Sequence, residues 1–257
     1  MDSTPRPVVL VTGAAQRIGR AIALELGAQG WQVAVHHRSS ADAAAQTVAA
    51  LRAAGGEAES FVADLAIESE CAALVPAVLA AFGRIDAVVN NASLFEYDDV
   101  RSFSYAAMER AWRANTAPAI VLARALHAAG GSAVVNLLDQ KLWNPNPDYL
   151  SYSLSKAALE AATTLLAQAL APQLRVCGVA PGVTLPSGGM DGAEFEAAQR
   201  MTPLQRSASP QDVARAVRFL LESPAITGTT LLVDGGQHLQ AQSRDVLFLA
   251  REKNKDR

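Results

Sequence analysis

Two kinds of segment alternate along this chain. Short, mostly apolar runs occur at Val8–Val11, Gln32–Val35, Ser60–Val62, Ala87–Val89, Ala133–Leu138, Val176–Val179 and Thr230–Val233. Between them, Ala, Leu and Val recur at helical spacing over Ile18–Ala28, Ala41–Ala53, Glu68–Phe82, Tyr105–Ala128, Ser151–Leu170 and Gln211–Leu221. A strand that is apolar throughout is buried on both faces, and the intervening helices supply the cover. The pattern predicts an α/β chain built on a doubly wound, seven-stranded parallel sheet with helices on both faces.

No Pro/Ser-rich linker, composition break or fixed-period repeat divides the sequence, so residues 1–257 read as one domain with a core over about 8–239. Gly182–Gly192 reads as an irregular excursion, with a mobile lid as one reading. The tail, 240–257, mixes Arg, Lys and Asp with Val246–Leu249. A docking helix and a partly disordered segment both suit it.

Composition narrows the partners. Half of the 257 residues are hydrophobic, enough for a sizeable core, and the net charge is −3. A duplex nucleic-acid binder would carry a basic face, so the expected partner is a small molecule in a pocket. Cys71 and Cys177 have no metal-ligand spacing, so no metal site is expected, and a reducing compartment fits better than a disulfide framework. No apolar segment reaches membrane-spanning length and Met1 to Arg6 has no secretory pattern, which makes a cytoplasmic protein with no membrane partner the expectation.

In open α/β sheets, ligands gather where strands end and helix N-termini present donors. The first such place is Thr12-Gly13-Ala14-Ala15-Gln16-Arg17-Ile18-Gly19. Its small residues allow a backbone to approach a phosphate, although the spacing is not G-x-G-x-x-G. Arg17 adds a permanent charge and a planar donor fork, suited to a cofactor pyrophosphate, a substrate, or both. The second strand ends in His36-His37-Arg38-Ser39, with no carboxylate before Asp42. NAD binders usually place an acid there; Arg38, with His37 and Ser39, suits a 2′-phosphate and therefore NADPH.

Tyr152 and Lys156 lie one helical turn apart on one face, in the only Tyr-x-x-x-Lys of the chain. A neighbouring ammonium lowers a phenol's pKa and makes Tyr a workable proton donor or acceptor. The fifth strand ends at Asp139, which could share a proton with Tyr152 or accept from a substrate N–H. Asn115 sits where helix propensity is poor, as expected of a buried residue that bonds a backbone carbonyl or a water near Lys156. At the fourth strand end, Asn91, Ala92 and Ser93 allow a nicotinamide ribose to approach, and Phe95 offers a stacking face. Tyr97, Tyr149, His127 and His238 suggest no partner.

Together, Thr12-Gly13 to Gly19, Asp64-Leu65, Asn90-Asn91-Ala92, Asn115, Tyr152 to Lys156, Pro181-Gly182 and Asp234-Gly235-Gly236 resemble the short-chain dehydrogenase/reductase family from about Val8 to Gly236. The resemblance implies a Rossmann-like fold, Tyr152 as general acid, and Lys156 on the nicotinamide ribose, lowering the Tyr pKa. It also implies Asn115 in a water relay, Asp64 and Leu65 at the adenine, and cofactor contacts from Gly13, Ile18, Gly19, Pro181 and Gly182. Family members are commonly tetramers, so a homotetramer is expected.

Two departures point within the family. Arg17 replaces the usual central Gly of the turn, and Asp139 replaces the usual Ser. Both look like the pteridine reductase branch, which shares Thr-Gly-Ala-Ala-x-Arg-x-Gly, His-Arg-Ser, Asn-Ala-Ser-x-Phe and an Asp-Tyr-Lys set. The ending Asp234 to Leu239 is similar to dihydromonapterin reductases. That likeness implies a dihydropteridine substrate held by Arg17, Ser93, Phe95, Asp139 and Tyr152. A carbonyl reductase acting on a ketone or 3-oxoacyl thioester is the alternative; a non-catalytic NADPH-binding sensor is a third reading.

Overall fold

The computed structural model describes residues 6–186 and 189–255; residues 1–5, positions 187–188 of the glycine-rich excursion and 256–257 of the tail lie outside the described residues. In chain order the elements are β1 (Val8–Val11), α1 (Arg17–Ala28), β2 (Gln32–His37), α2 (Ala41–Ala53), β3 (Ala58–Val62), α3 (Glu68–Phe82) and β4 (Ala87–Asn90). There follow α4 (Tyr105–Asn115), α5 (Ala117–Ala128), β5 (Ala133–Leu137), α6 (Leu150–Leu170), β6 (Arg175–Pro181), α7 (Gly192–Arg200), α8 (Pro210–Glu222), β7 (Thr230–Val233) and α9 (Val246–Lys255).

The strands form one sheet in the order β3-β2-β1-β4-β5-β6-β7, with every described pairing parallel. This is the doubly wound Rossmann-like sheet that the alternation predicts. The two-residue period of β1 sorts its side chains. Val9 and Val11 enter the core made with α1, α2 and α8, while Val8 and Leu10 enter the core made with α3, α5 and α6. All four are fully buried, and each contributes about 1.5–3 kcal/mol of hydrophobic free energy. The strand order reverses between β1 and β4, and the crevice at their carboxyl ends is where such sheets bind ligands.

Two elements differ from expectation, and the tail takes the helical of its two readings. The segment Tyr105–Ala128 is two helices, because Thr116 and Pro118 interrupt it: the proline lacks an N–H and crowds the preceding turn. Thr116 donates its hydroxyl to the Ser155 carbonyl at 2.8 Å instead. The excursion after β6 leads into α7, whose start carries a reciprocal capping box between Asp191 and Glu194. The tail forms α9, which packs against α7 through Val246 and Leu247 beside Met190 and Ala198. Among the described residues, no helix is long and apolar enough to cross a membrane.

Candidate active site

A cavity of about 410 Å³ opens where β1, β2, β3 and β4 end. Gly13, Arg17, Ile18 and Gly19 of the first turn line it, as do His37, Arg38 and Ser39, then Asp64 and Leu65, then Asn91, Ala92 and Ser93. Twelve residues drawn from four separate turns therefore reach one cavity.

The first turn is built to be thin. Gly13 has φ +63, and a Cβ there would sit 3.1 Å from the Ala92 Cα. A Cβ on Gly19 would come within 2.2 Å of the Gly13 carbonyl oxygen, so only Gly fits. Thr12 secures the turn to β4: its Oγ1 accepts from the Asn91 and Ala92 amides at 2.9 and 3.0 Å. Arg17 has φ +56, a conformation that costs a non-glycine residue of order 1 kcal/mol or more. Its guanidinium donates to the Pro186 carbonyl at 2.9 Å, tying the first turn to the excursion after β6.

His36 is the main residue that the sequence reading passed over. The Gly13 amide donates to its Nδ1 at 3.0 Å, so the ring proton lies on Nε2, which donates to the Ala63 carbonyl at 3.0 Å. Its own carbonyl accepts from the Ala14 amide at 2.9 Å. One buried ring thus spaces the first turn from the Ala63-Asp64-Leu65 turn. Burial holds its pKa down, at about 4, so it stays neutral. Nothing local marks such a residue; only its place at a strand end could have.

Beside this cavity the strand end of β5 meets the first turn of α6. The Tyr152 hydroxyl donates to Asp139 Oδ2 at 2.8 Å, while Asp139 Oδ1 accepts from the Lys141 amide at 2.8 Å. Lys156 donates to the Leu137 carbonyl at 2.7 Å, and its Nζ lies 5.8 Å from the Tyr152 ring centre. Burial, then the charge of Asp139, pushes the Tyr152 phenol well above its ordinary value. Lys156 faces a carbonyl rather than the phenol oxygen, and its own pKa is pulled down to about 8 by burial. Burial also raises the Asp139 carboxyl. The phenol therefore keeps its proton at neutral pH.

Asn115, at the end of α4, is buried and bonds a backbone carbonyl, the first of the two placements its residue type suggested. Its amide donates to the Leu94 carbonyl at 3.0 Å and to Ser155 Oγ at 2.9 Å. Its oxygen accepts from the Leu94 amide at 2.7 Å and from Ser93 Oγ at 3.1 Å. Three of those bonds fix the Ser93–Phe95 strip and the fourth ties it to α6; on the strip the Phe95 ring meets Tyr152 edge-on at 4.7 Å. The opposite demand on Phe95 comes from Tyr149, which stacks on it at 4.1 Å and 17°. Pro181 and Gly182 end β6 without lining the cavity; Gly182 packs against Asp234 and Gln237. His238, left without a partner by the sequence, pairs with Asp234 at 2.7 Å.

Sheet order, glycine-tight turn and buried Tyr152–Lys156 pair together define an oxidoreductase of the short-chain type. A family model described as Enoyl-(Acyl carrier protein) reductase matches residues 13–238, and the chain belongs to the short-chain dehydrogenase/reductase family. Among solved structures, it is similar to FolM alternative dihydrofolate reductase 1 from Brucella canis complexed with NADP, at 39% identity and a TM-score of 0.88, covering 94% of this chain and 97% of that one. It is 33% identical to pteridine reductase 1 of Leishmania tarentolae, covering 93% of this chain and 99% of the relative. It is also 32% identical to a granaticin polyketide synthase putative ketoacyl reductase 2 of Streptomyces violaceoruber, covering 93% of this chain and 98% of the relative.

Proposed function

We propose that the protein reduces a dihydropteridine, dihydrofolate-like or dihydrobiopterin-like, with NADPH. The observation that carries this reading is the hydrogen-bonded carboxyl–phenol pair, Asp139 and Tyr152, set beside the ring of Phe95. A pterin is flat and rich in N–H groups. A carboxylate accepts from those groups, whereas the serine usual at this position donates to a carbonyl oxygen. The similarity to a dihydrofolate reductase and a pteridine reductase points the same way.

The cavity fits NADPH on its own chemistry. Among the described residues, His37 Nδ1 is a buried atom with no hydrogen-bond partner, and it lines the cavity next to Arg38 and Ser39. A 2′-phosphate would give it one, and Arg38 would supply the charge. The first turn would hold the pyrophosphate, Asp64 and Leu65 the adenine, and Asn91 to Ser93 with Lys156 the nicotinamide ribose. NADPH, when bound, supplies the hydride. Tyr152 delivers the proton to the ring nitrogen of the reduced C=N bond, so one C–H and one N–H bond form. Asp139 orients the phenol and accepts from the substrate edge; Arg17 and Ser93 hold the remaining polar groups.

The test follows NADPH absorbance with biopterin, dihydrobiopterin, dihydrofolate, several ketones and a 3-oxoacyl thioester. Turnover of dihydropteridines is the expected result. Turnover of carbonyl compounds alone would overturn the substrate and support the ketoacyl-reductase reading that the granaticin relative suggests. A cytoplasmic homotetramer is the assembly carried over from the family, and sedimentation equilibrium checks the stoichiometry.

A further inference from the structure

Tyr149 holds φ +57 and ψ +52, the left-handed region that a bulky residue occupies only when its surroundings impose it. It is the residue just before α6, three positions ahead of Tyr152, and its ring backs Phe95. The residue before it, Asp148, is held by Arg244 and Asp245 from far along the chain and by Lys141. Arg244 forks onto the buried Asp148 carboxylate, with Nε to Oδ2 at 2.8 Å and Nη2 to Oδ1 at 2.9 Å. The Asp245 amide donates to the same carboxylate at 2.7 Å. Lys141 donates to the Asp148 carbonyl at 2.6 Å and approaches Asp245 at 3.4 Å. Phe248 then lies against Tyr149 at 6.5 Å and 28°, and against Tyr97 edge-on at 5.6 Å, with the Arg244 guanidinium 4.6 Å from its ring centre.

The same short segment reaches the other side of the site. Arg251 donates to Glu194 at 3.0 Å and to the Gly189 carbonyl at 3.2 Å, at the point where the excursion after β6 turns into α7. Val246 and Leu247 share a buried cluster with Met190 and Ala198. None of residues 244–251 lines the cavity assigned to NADPH.

We propose that residues 244–251 are an in-chain brace that positions the substrate half of the site and leaves the cofactor half alone. Phe248 and Arg244 are its positioning residues: they fix Tyr149, Tyr149 fixes the Phe95 ring, and Arg251 fixes the far wall through Glu194 and Gly189. Substrate selectivity is thereby written partly in the tail. The proposal rests on the dihydropteridine reading for its substrate, while the brace itself concerns whatever flat molecule lies against Phe95.

The experiment uses the full-length protein and four variants: Phe248→Leu, Phe248→Tyr, Arg244→Met and Arg251→Met. NADPH affinity is read by fluorescence titration, and KM and kcat with the best substrate found for the wild type. Losing one aromatic stack raises KM about threefold to tenfold in Phe248→Leu, with a smaller change in kcat and NADPH affinity within about twofold. Phe248→Tyr keeps the stack and restores the wild-type KM. Arg244→Met reports the same KM-selective loss should Phe248→Leu fold poorly. Unchanged KM in both Phe248→Leu and Arg244→Met, or an equal loss of NADPH affinity, would overturn the brace. A wild type that turns over only carbonyl compounds would overturn the pteridine reading while leaving the KM comparison intact.

Discussion

The Tyr152 hydroxyl and Asp139 Oδ2 are joined by a 2.8 Å hydrogen bond in which the phenol is the donor; Tyr152 is buried and Asp139 half-buried. A buried phenol beside a carboxylate keeps its proton, because ionising it would place two negative charges side by side. Tyr152→Phe removes the proton and the bond but little of the packing. Turnover is expected to fall by about 10²–10⁴-fold, the usual range for a lost general acid, with NADPH binding preserved. Stopped-flow hydride transfer and fluorescence titration separate the two effects. Unchanged turnover would mean that Tyr152 is not the proton donor, and a wild type that binds NADPH without any turnover would instead be a sensor.

Gly19 faces the Gly13 carbonyl at a distance no side chain can share, 2.2 Å from an added Cβ. Gly19→Ala must therefore push α1 away from the first turn. Overpacking of this kind costs about 1–3 kcal/mol, and here it also moves the amides that would meet the pyrophosphate. Both a lower thermal midpoint and weaker NADPH binding are expected, measured by calorimetry on the same sample. Retained affinity would mean that the turn does not hold the pyrophosphate.

His36 gives a pH dependence with a definite sign. Its folded pKa is about 4 against 6.5 for the free side chain, so between those values the unfolded chain binds a proton that the folded one refuses. The stabilisation is complete above pH 6.5 and declines as pH falls towards 4, by about 3 kcal/mol in all. Protonation would also set a second N–H against the Gly13 amide. Denaturant midpoints at pH 7, 6 and 5 test this, with His36→Asn as reference. The wild type should lose more stability than the variant over that interval; parallel slopes would show that His36 does not titrate as described.

Arg38 and Ser39 are exposed at the end of β2, beside the unpartnered His37 Nδ1. Charge-assisted contacts of Arg with phosphate are the strong ones, about 1.5–3 kcal/mol. Arg38→Ala should accordingly lower kcat/KM for NADPH by about tenfold to a hundredfold and leave NADH use nearly unchanged. Equal loss with both cofactors would place the arginine elsewhere than on the 2′-phosphate.

How much of this was legible depends on sequence distance. The strands and the turns after them are local patterns, so Gly13 to Gly19, Arg38, Asn91 to Ser93 and Asp139 could be found by reading along the chain. The helix Tyr105–Ala128 was misread as continuous because periodicity outweighed Pro118. Helix α7 was missed because it is short and opens on Gly192, although its Asp191/Glu194 cap was in plain view. The rest is non-local. Phe95, Tyr149 and Phe248 meet only through the fold, and so do Asp148 and Arg244. No pattern on one strand or helix encodes such meetings. The direction of the Tyr152 pKa belongs here too, since it is set by burial and by the Asp139 carboxylate that the fold brings against it.

Asp139 offers the sharpest test of substrate class, because one substitution exchanges an acceptor for a donor. A carboxylate beside Tyr152 accepts from pterin N–H groups, and it repels the partial negative charge of a carbonyl oxygen. Asp139→Ser shortens the side chain, removes the charge and supplies an O–H that can donate to such an oxygen. Dihydropteridine kcat/KM should fall at least about tenfold, the worth of one charge-assisted hydrogen bond, while ketone reduction rises from the wild-type background. Measuring both substrates on wild type and variant gives a ratio that is independent of active-enzyme concentration. A ratio that does not move would mean Asp139 is not in contact with the substrate, and that its role is confined to holding Tyr152.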